Sequence, residues 1–235
     1  MLYLLGKNLI FGNYKLKYLC LMKSIPAVVT ADMVNSTLFS REETNLWLSD
    51  LLELLRSEND FQWILKPEIY RGDSFQGVLK NADDVLRMAI LARTIMRSHA
   101  LNSDLRIAIG IGKIEQITDR PGTSDGEAFR LSGHLADNIR NQKARIAIAM
   151  KLPSEPLSSS LDLLETVIES WTVAQSEVIV SLLLNETITQ ISQRLSISQS
   201  AVSQRVTASK WWAVAHFLKT FPQHLALYIK SGSKS

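Results

Sequence analysis

Apolar positions along the chain follow two rhythms, period two and period three to four, and their order predicts a layered α/β unit. From Ile25, IPAVVTADMVNST is a short apolar strand ending in Thr30-Ala31-Asp32, with Asp32 just beyond it in a polar turn. Arg41–Arg56 places Leu48, Leu51, Leu52 and Leu55 on one helical face. Phe61–Tyr70 and Ser74–Leu79 read as two strands around Arg71-Gly72-Asp73, a hairpin with turn chemistry. Ala82–His99 has helical spacing at Val85, Met88, Ala89, Ala92 and Met96, with Asp83 and Asp84 near its start. Leu105–Ile111 is an apolar strand, Glu115–Gly126 a polar loop, Ala128–Arg140 a helix and Arg145–Met150 a last strand. The expected class is therefore α/β (α+β): a mixed sheet with helices on its face over residues 22–151.

LPSEPLSSS, residues 152–160, is the expected linker, since two prolines and a serine run discourage continuous structure. Beyond it the strand rhythm stops, and residues 161–235 read as all helical. Val173–Leu184 predicts a supporting helix with Val173, Val180, Leu183 and Leu184 as its apolar set. In TITQISQRLSISQSAVSQRV, residues 187–206, Ile188, Ile191 and Leu195 share one face of a short helix. Ser196-Ile197-Ser198 makes a turn with an apolar plug, and Val202 and Val206 face inward from a second helix that Ser198 caps. Two short helices sharing a small core at this spacing form the helix-turn-helix pattern.

Composition sharpens the picture in three ways. A chain of 235 residues, 46% hydrophobic and 21% charged, has the composition of a folded globular protein. One cysteine, Cys20, excludes an internal disulfide framework or a cysteine-rich zinc site, and a cytoplasmic location is expected. Charge is uneven: residues 23–170 carry 17 basic and 21 acidic side chains, whereas residues 171–235 carry 6 basic and 2 acidic ones, so a polyanion would be met at the C-terminal end. Lysines interrupt the apolar runs of residues 1–21, which lack both a span of about 20 apolar residues and a signal-peptide pattern. They are expected to be an upstream extension preceding Met22, and no membrane partner is expected.

Candidate chemistry begins with Asp32 and Asp73. If the first strand lies beside the hairpin, both carboxylates emerge at one edge of the sheet, where two hard oxygen ligands suit Mg²⁺ or Mn²⁺ with nucleotide phosphates completing the shell. Gly72 allows the tight turn and close approach of a phosphate. The alternative is that both acids are ordinary turn residues. Arg71, Lys113 and Arg130 are candidate phosphate contacts, each with the alternative of a solvated surface charge.

The segments Gly72-Asp73-Ser74-Phe75-Gln76-Gly77, Ile107-Ala108-Ile109-Gly110-Ile111-Gly112 and Asp125-Gly126-Glu127-Ala128, with Asp32 after the first strand, resemble the SatD family and, more distantly, class III nucleotidyl cyclases. The resemblance implies a ferredoxin-like palm holding metal at Asp32 and Asp73 and binding a nucleoside triphosphate. Laying the cyclase loop on Gly126–His134 puts Arg130 where an asparagine belongs and His134 where an arginine belongs. A neutral imidazole cannot clamp transferring phosphoryl charge as a guanidinium does, so cyclisation is not expected.

The C-terminal pattern resembles the helix-turn-helix of sigma-factor region 4 and LuxR-type regulators, with Ser196 at the usual turn glycine and Ser192 at the usual alanine. On that reading Gln199, Ser200, Ser203 and Gln204 face base edges of duplex DNA, and Arg194, Arg205 and Lys210 meet phosphates. The adjacent Trp211 and Trp212 cannot both be buried in one small bundle, and a homodimer would cover one of them. The expectation is a transcriptional regulator whose palm senses a metal-bound nucleotide. The alternatives are a divalent-metal nucleotidyl or phosphoryl transferase with a helical oligomerisation or recruitment module, and a scaffold without ligands.

Overall fold

The computed structural model describes residues 24–232, so the expected extension at residues 1–21 lies outside the described residues. Five strands form one mixed sheet: β1 (Ala27–Val34), β2 (Trp63–Arg71), β3 (Ser74–Leu79), β4 (Asp104–Ile111) and β5 (Ile146–Ala149). Their spatial order is β2-β3-β1-β4-β5, antiparallel throughout except for the parallel β4–β5 pair. Helices α1 (Arg41–Ser57), α2 (Val85–His99) and α3 (Glu127–Ile139) are interleaved with the strands, and α4 (Glu155–Glu169), α5 (Val173–Leu183), α6 (Ile188–Arg194), α7 (Gln199–Ala208) and α8 (Trp211–Gly232) follow. The chain is thus α+β, and the expected strand and helix order of the first part is present. Among the described residues no helix is long and apolar enough to cross a membrane.

Alternation along β1 decides the layering. Ala27, Val29, Ala31 and Met33 join the main core with α1 and α2, whereas Val28 turns to the opposite face and packs with Val78, Ala128 and Phe129 of the α3 side. That opposite face admits α3 closely because Gly110 has no side chain: a Cβ there would lie 2.0 Å from the Ala128 carbonyl oxygen. Gly110 of the GIG segment therefore serves helix-to-sheet packing. A capping box starts α1, with Ser40 accepting from the Glu43 N–H and Glu43 accepting from the Ser40 N–H. Gly72, at φ 59°, makes the left-handed step of the β2–β3 turn.

Three expectations need correcting. Asp32 lies inside β1, paired with Ser74 on one side and Arg106 on the other, because the ladder runs on through Val34. Residues 152–160 are no free linker: Ser154 caps α4 by accepting from the Leu157 N–H, and Pro156 sits in the first turn, where a missing N–H costs nothing. Of the expected apolar set of α5, Leu183 is buried and Val180 and Leu184 pack half-buried against the core, but Val173 does not join it, and Val178 and Ile179 are the buried residues the pattern missed.

The C-terminal helices share the core of the sheet. Leu157, Leu161, Leu164, Ile168, Ile179, Val214, Phe221 and Leu225 belong to the same buried cluster as Val29 and Ile107. At its centre the fully buried Arg93 of α2 makes paired bonds to Asp104 at the start of β4 (2.9 and 2.7 Å) and to Glu165 of α4 (both 2.8 Å). Burial alone would favour discharging Arg93, but the two carboxylates outweigh it and hold the guanidinium charged. Arg97 adds a bond to Asp104 (3.2 Å) and donates to the carbonyls of Glu169 and Trp171 (3.0 and 2.8 Å).

Removing one partner of such a pair leaves an uncompensated buried charge, so Glu165→Ala is expected to destabilise the chain by about 3–5 kcal/mol in urea unfolding. The pH dependence follows from Asp104. Burial pushes its carboxyl up, but Arg93, Arg97 and the Leu105 N–H prevail and hold it below the ordinary 3.8. A depressed carboxylate contributes its stability above the unfolded value and loses it as pH falls through the native one. The stability gap between wild type and Asp104→Asn is therefore expected to be constant above about pH 5 and to shrink below about pH 4.

Candidate functional site

Two regions bring chemistry to the surface. The first is at the end of β1. Asn35 takes the left-handed conformation (φ 55°) and passes the chain into a short 3-10 turn, Ser36–Leu38. The β2–β3 turn is tied to it, since the Met33 N–H donates to the Asp73 carbonyl at 3.3 Å. Together with the end of α3 these segments surround an open cavity of about 310 Å³, lined by Asp32, Asp73, Ser36, Thr37, Arg106 and Arg140 among others. The two aspartates meet at one site, as their strand positions implied.

The cations are not the expected ones. Arg106, the cross-strand neighbour of Asp32, donates to its Oδ2 at 3.1 Å, and Arg140 Nε approaches the same oxygen at 3.9 Å. Lys113 and Arg130 are elsewhere. β4 runs antiparallel to β1, so Lys113, just beyond Ile111, lies at the opposite end of the sheet from Asp32. Arg130, near the start of α3, bonds Glu115 (2.8 Å) and Asp125 (3.1 and 3.2 Å). Arg71 and Gly72 are exposed on the hairpin and do not line the cavity. Arg106 was legible as the one basic residue of a mostly apolar strand, but the recruitment of Arg140 depends on where α3 ends.

Of the two expected metal ligands, Asp32 is bonded by Arg106 and only Asp73 is unengaged. Among the described residues no group of three or more His, Cys, Asp or Glu side chains could hold one. Asp32 already has a guanidinium on it, and the two aspartates and two arginines sum to zero formal charge.

The second region is α5–α6–α7. Val178, Ile191 and Val202 form a small buried core, closed by Ile188, Leu195, Ile197 and Val206, the set the sequence pattern assigns. A capping box opens α6, Thr187 accepting from the Gln190 N–H and Gln190 from the Thr187 N–H. Ser198 caps α7 by accepting from the Ala201 N–H at 3.1 Å.

Both preceding helices stop in the same way. Asn185 and Ser196 take left-handed φ values of 63° and 54°. The N–H of the next residue then reaches back into each helix, Glu186 to the Ser181 carbonyl and Ile197 to the Ser192 carbonyl. Lys210, just beyond the Ser209 C-cap of α7, also takes a left-handed φ of 57°. Of these three positions, the sequence pattern marked only Ser196.

Gln199, Ser200, Ser203 and Gln204 are exposed on α7, and a shallow cavity of about 380 Å³ runs along Ser200, Ser203, Gln204, Thr207 and Lys210. Arg194 and Arg205 do not stand free. Arg194 pairs with Glu186 at 3.2 Å and also bonds Ser181 Oγ. Arg205 bonds the Ala174 carbonyl (3.3 Å) and Glu177 (3.4 Å), so it straps α7 to α5. Trp211 packs against the main core while Trp212 is 73% exposed.

No family model matches the chain, and no curated protein matches it.

A serine held left-handed carries a steric cost that glycine avoids, roughly 1–2 kcal/mol before glycine's greater unfolded entropy is subtracted. Ser196→Gly is accordingly expected to stabilise the chain by up to about 1 kcal/mol, read as a higher urea midpoint. A lower midpoint would contradict the turn geometry.

Proposed function

We propose that the chain is a DNA-binding transcriptional regulator whose sheet carries a nucleotide-sensing cavity. The observation that carries this reading is α7: a capped helix on its own three-helix core, turning two glutamines and two serines outward with no acidic side chain among them. Amides on such a face can bond adenine edges in pairs, and hydroxyls can position on phosphate or bases. The arrangement of α6, the Ser196 turn and α7 supports a helix-turn-helix, with α7 as the recognition helix.

The order β2-β3-β1-β4 is that of a ferredoxin-like palm and supports the SatD and cyclase-like resemblance. With Arg194 and Arg205 engaged internally, Lys210 becomes the principal phosphate contact of this face. Two copies per operator are expected, with Trp212 as a side chain a second copy would cover.

The test is fluorescence anisotropy of a labelled duplex at increasing salt. Wild-type affinity is expected to fall as a power of salt concentration, and Lys210→Ala to reduce the slope by about one. Ser203→Glu, which sets a carboxylate against the phosphates without touching the core, is expected to abolish binding. Salt-independent binding, or full binding by Ser203→Glu, would overturn the reading.

A further inference from the structure

Because Asp32 is already engaged, the cavity's reactive mouth is made by the groups left over. The Asp32 side chain is only 13% exposed beneath Arg106, which is 20% exposed, so this pair forms the floor. Arg140 is 62% exposed, and its nearest anionic neighbour is Asp32 at 3.9 Å, beyond hydrogen-bond reach. Asp73 lines the same cavity and, among the described residues, its carboxylate has no ion-pair or hydrogen-bond partner. The mouth is therefore dipolar: a largely exposed guanidinium from the end of α3, ion-paired with Asp32 only at 3.9 Å, and an unengaged carboxylate from the β2–β3 turn, with the Ser36 and Thr37 hydroxyls between β1 and α1 as neutral donors.

We propose that this cavity binds a nucleoside monophosphate without a divalent cation, Arg140 meeting the phosphate and Asp73 accepting from ribose or base donors. Arg106 is a positioning residue. It holds Asp32 as a counter-charge behind Arg140, so that the chain's own guanidinium does what a metal does when it draws a phosphate to paired carboxylates. A phosphate approaching Arg140 from its exposed side, away from Asp32 and Asp73, gains a charge-assisted bond. The polarity of the ligand is set by the contrast between Arg140 and Asp73, since an anion facing Asp73 and a donor facing Arg140 would both be unfavourable. The inference rests on the cavity being a nucleotide site and adds to it the ligand class and the independence from metal.

The experiment is calorimetric titration of AMP, GMP, CMP and UMP into the full chain, in excess EDTA and again in Mg²⁺. At least one is expected to bind in EDTA with an affinity within about twofold of that in Mg²⁺. Losing a charge-assisted phosphate bond costs at least tenfold, the loss expected for Arg140→Gln. Asp73→Asn is expected to change the ranking of the four nucleotides, while Lys113→Ala leaves binding unchanged. Retained binding by Arg140→Gln would overturn the assignment of the phosphate. Binding that needs Mg²⁺ would overturn metal independence and return Asp32 and Asp73 to the role of metal ligands, leaving the nucleotide-sensing reading intact. No binding of any of the four under either condition would overturn the inference and the sensing half of the proposed function together, and duplex DNA affinity in the same preparation shows whether the other half stands.

Discussion

Arg93 is the residue on which the arrangement depends. A guanidinium with no exposure to water is tolerable only if its charge and N–H groups are met, and it takes one carboxylate from β4 and another from α4 to do so. That requirement fixes α4 against the sheet and rules out a loose tether between the first and second parts of the chain. Arg97, one helical turn on, extends the constraint to the carbonyls at the α4–α5 junction, and the buried Trp171 indole donates to the Ser209 carbonyl at 2.7 Å. Ser209 ends α7. The outward-facing helix is thus joined by specific polar bonds to the start of β4.

The same strand serves the cavity. Asp104, which holds Arg93 and Arg97, is two residues before Arg106, which holds Asp32. α5 completes the joint from its two sides, with Ile179 and Leu183 in the main core and Val178 in the small core with Ile191 and Val202. A ligand that altered the Asp32–Arg106 pair would therefore act on a strand already bonded into the support of α7. Physical continuity of this kind is what a sensor requires.

Local patterns were legible in the sequence, and long-range choices were not. The alternation of β1 and β3, the leucines of α1 and the Ile191/Val202 core follow from periodicity, which depends only on near neighbours. Asp32 reads as a turn residue because Asp is poor in strands. It stays inside β1 because Arg106 on the adjacent strand neutralises it. Pro156 reads as a breaker, yet in the first turn of a helix it is an initiator, and the preceding Ser154 was the available signal. Arg194 and Arg205 look alike in a basic segment, but their partners Glu186 and Glu177 lie on the supporting elements, and only packing reveals the pairing.

The most direct measurement of the central claim is selection of bound duplexes from a fully random DNA library by the full chain. Convergence on a short motif with adenines at positions that relax when Gln199 or Gln204 is changed to Ala is the result this account predicts. A recovered pool indistinguishable from the input would contradict it, since α7 would then be an outward-facing helix with no sequence to read.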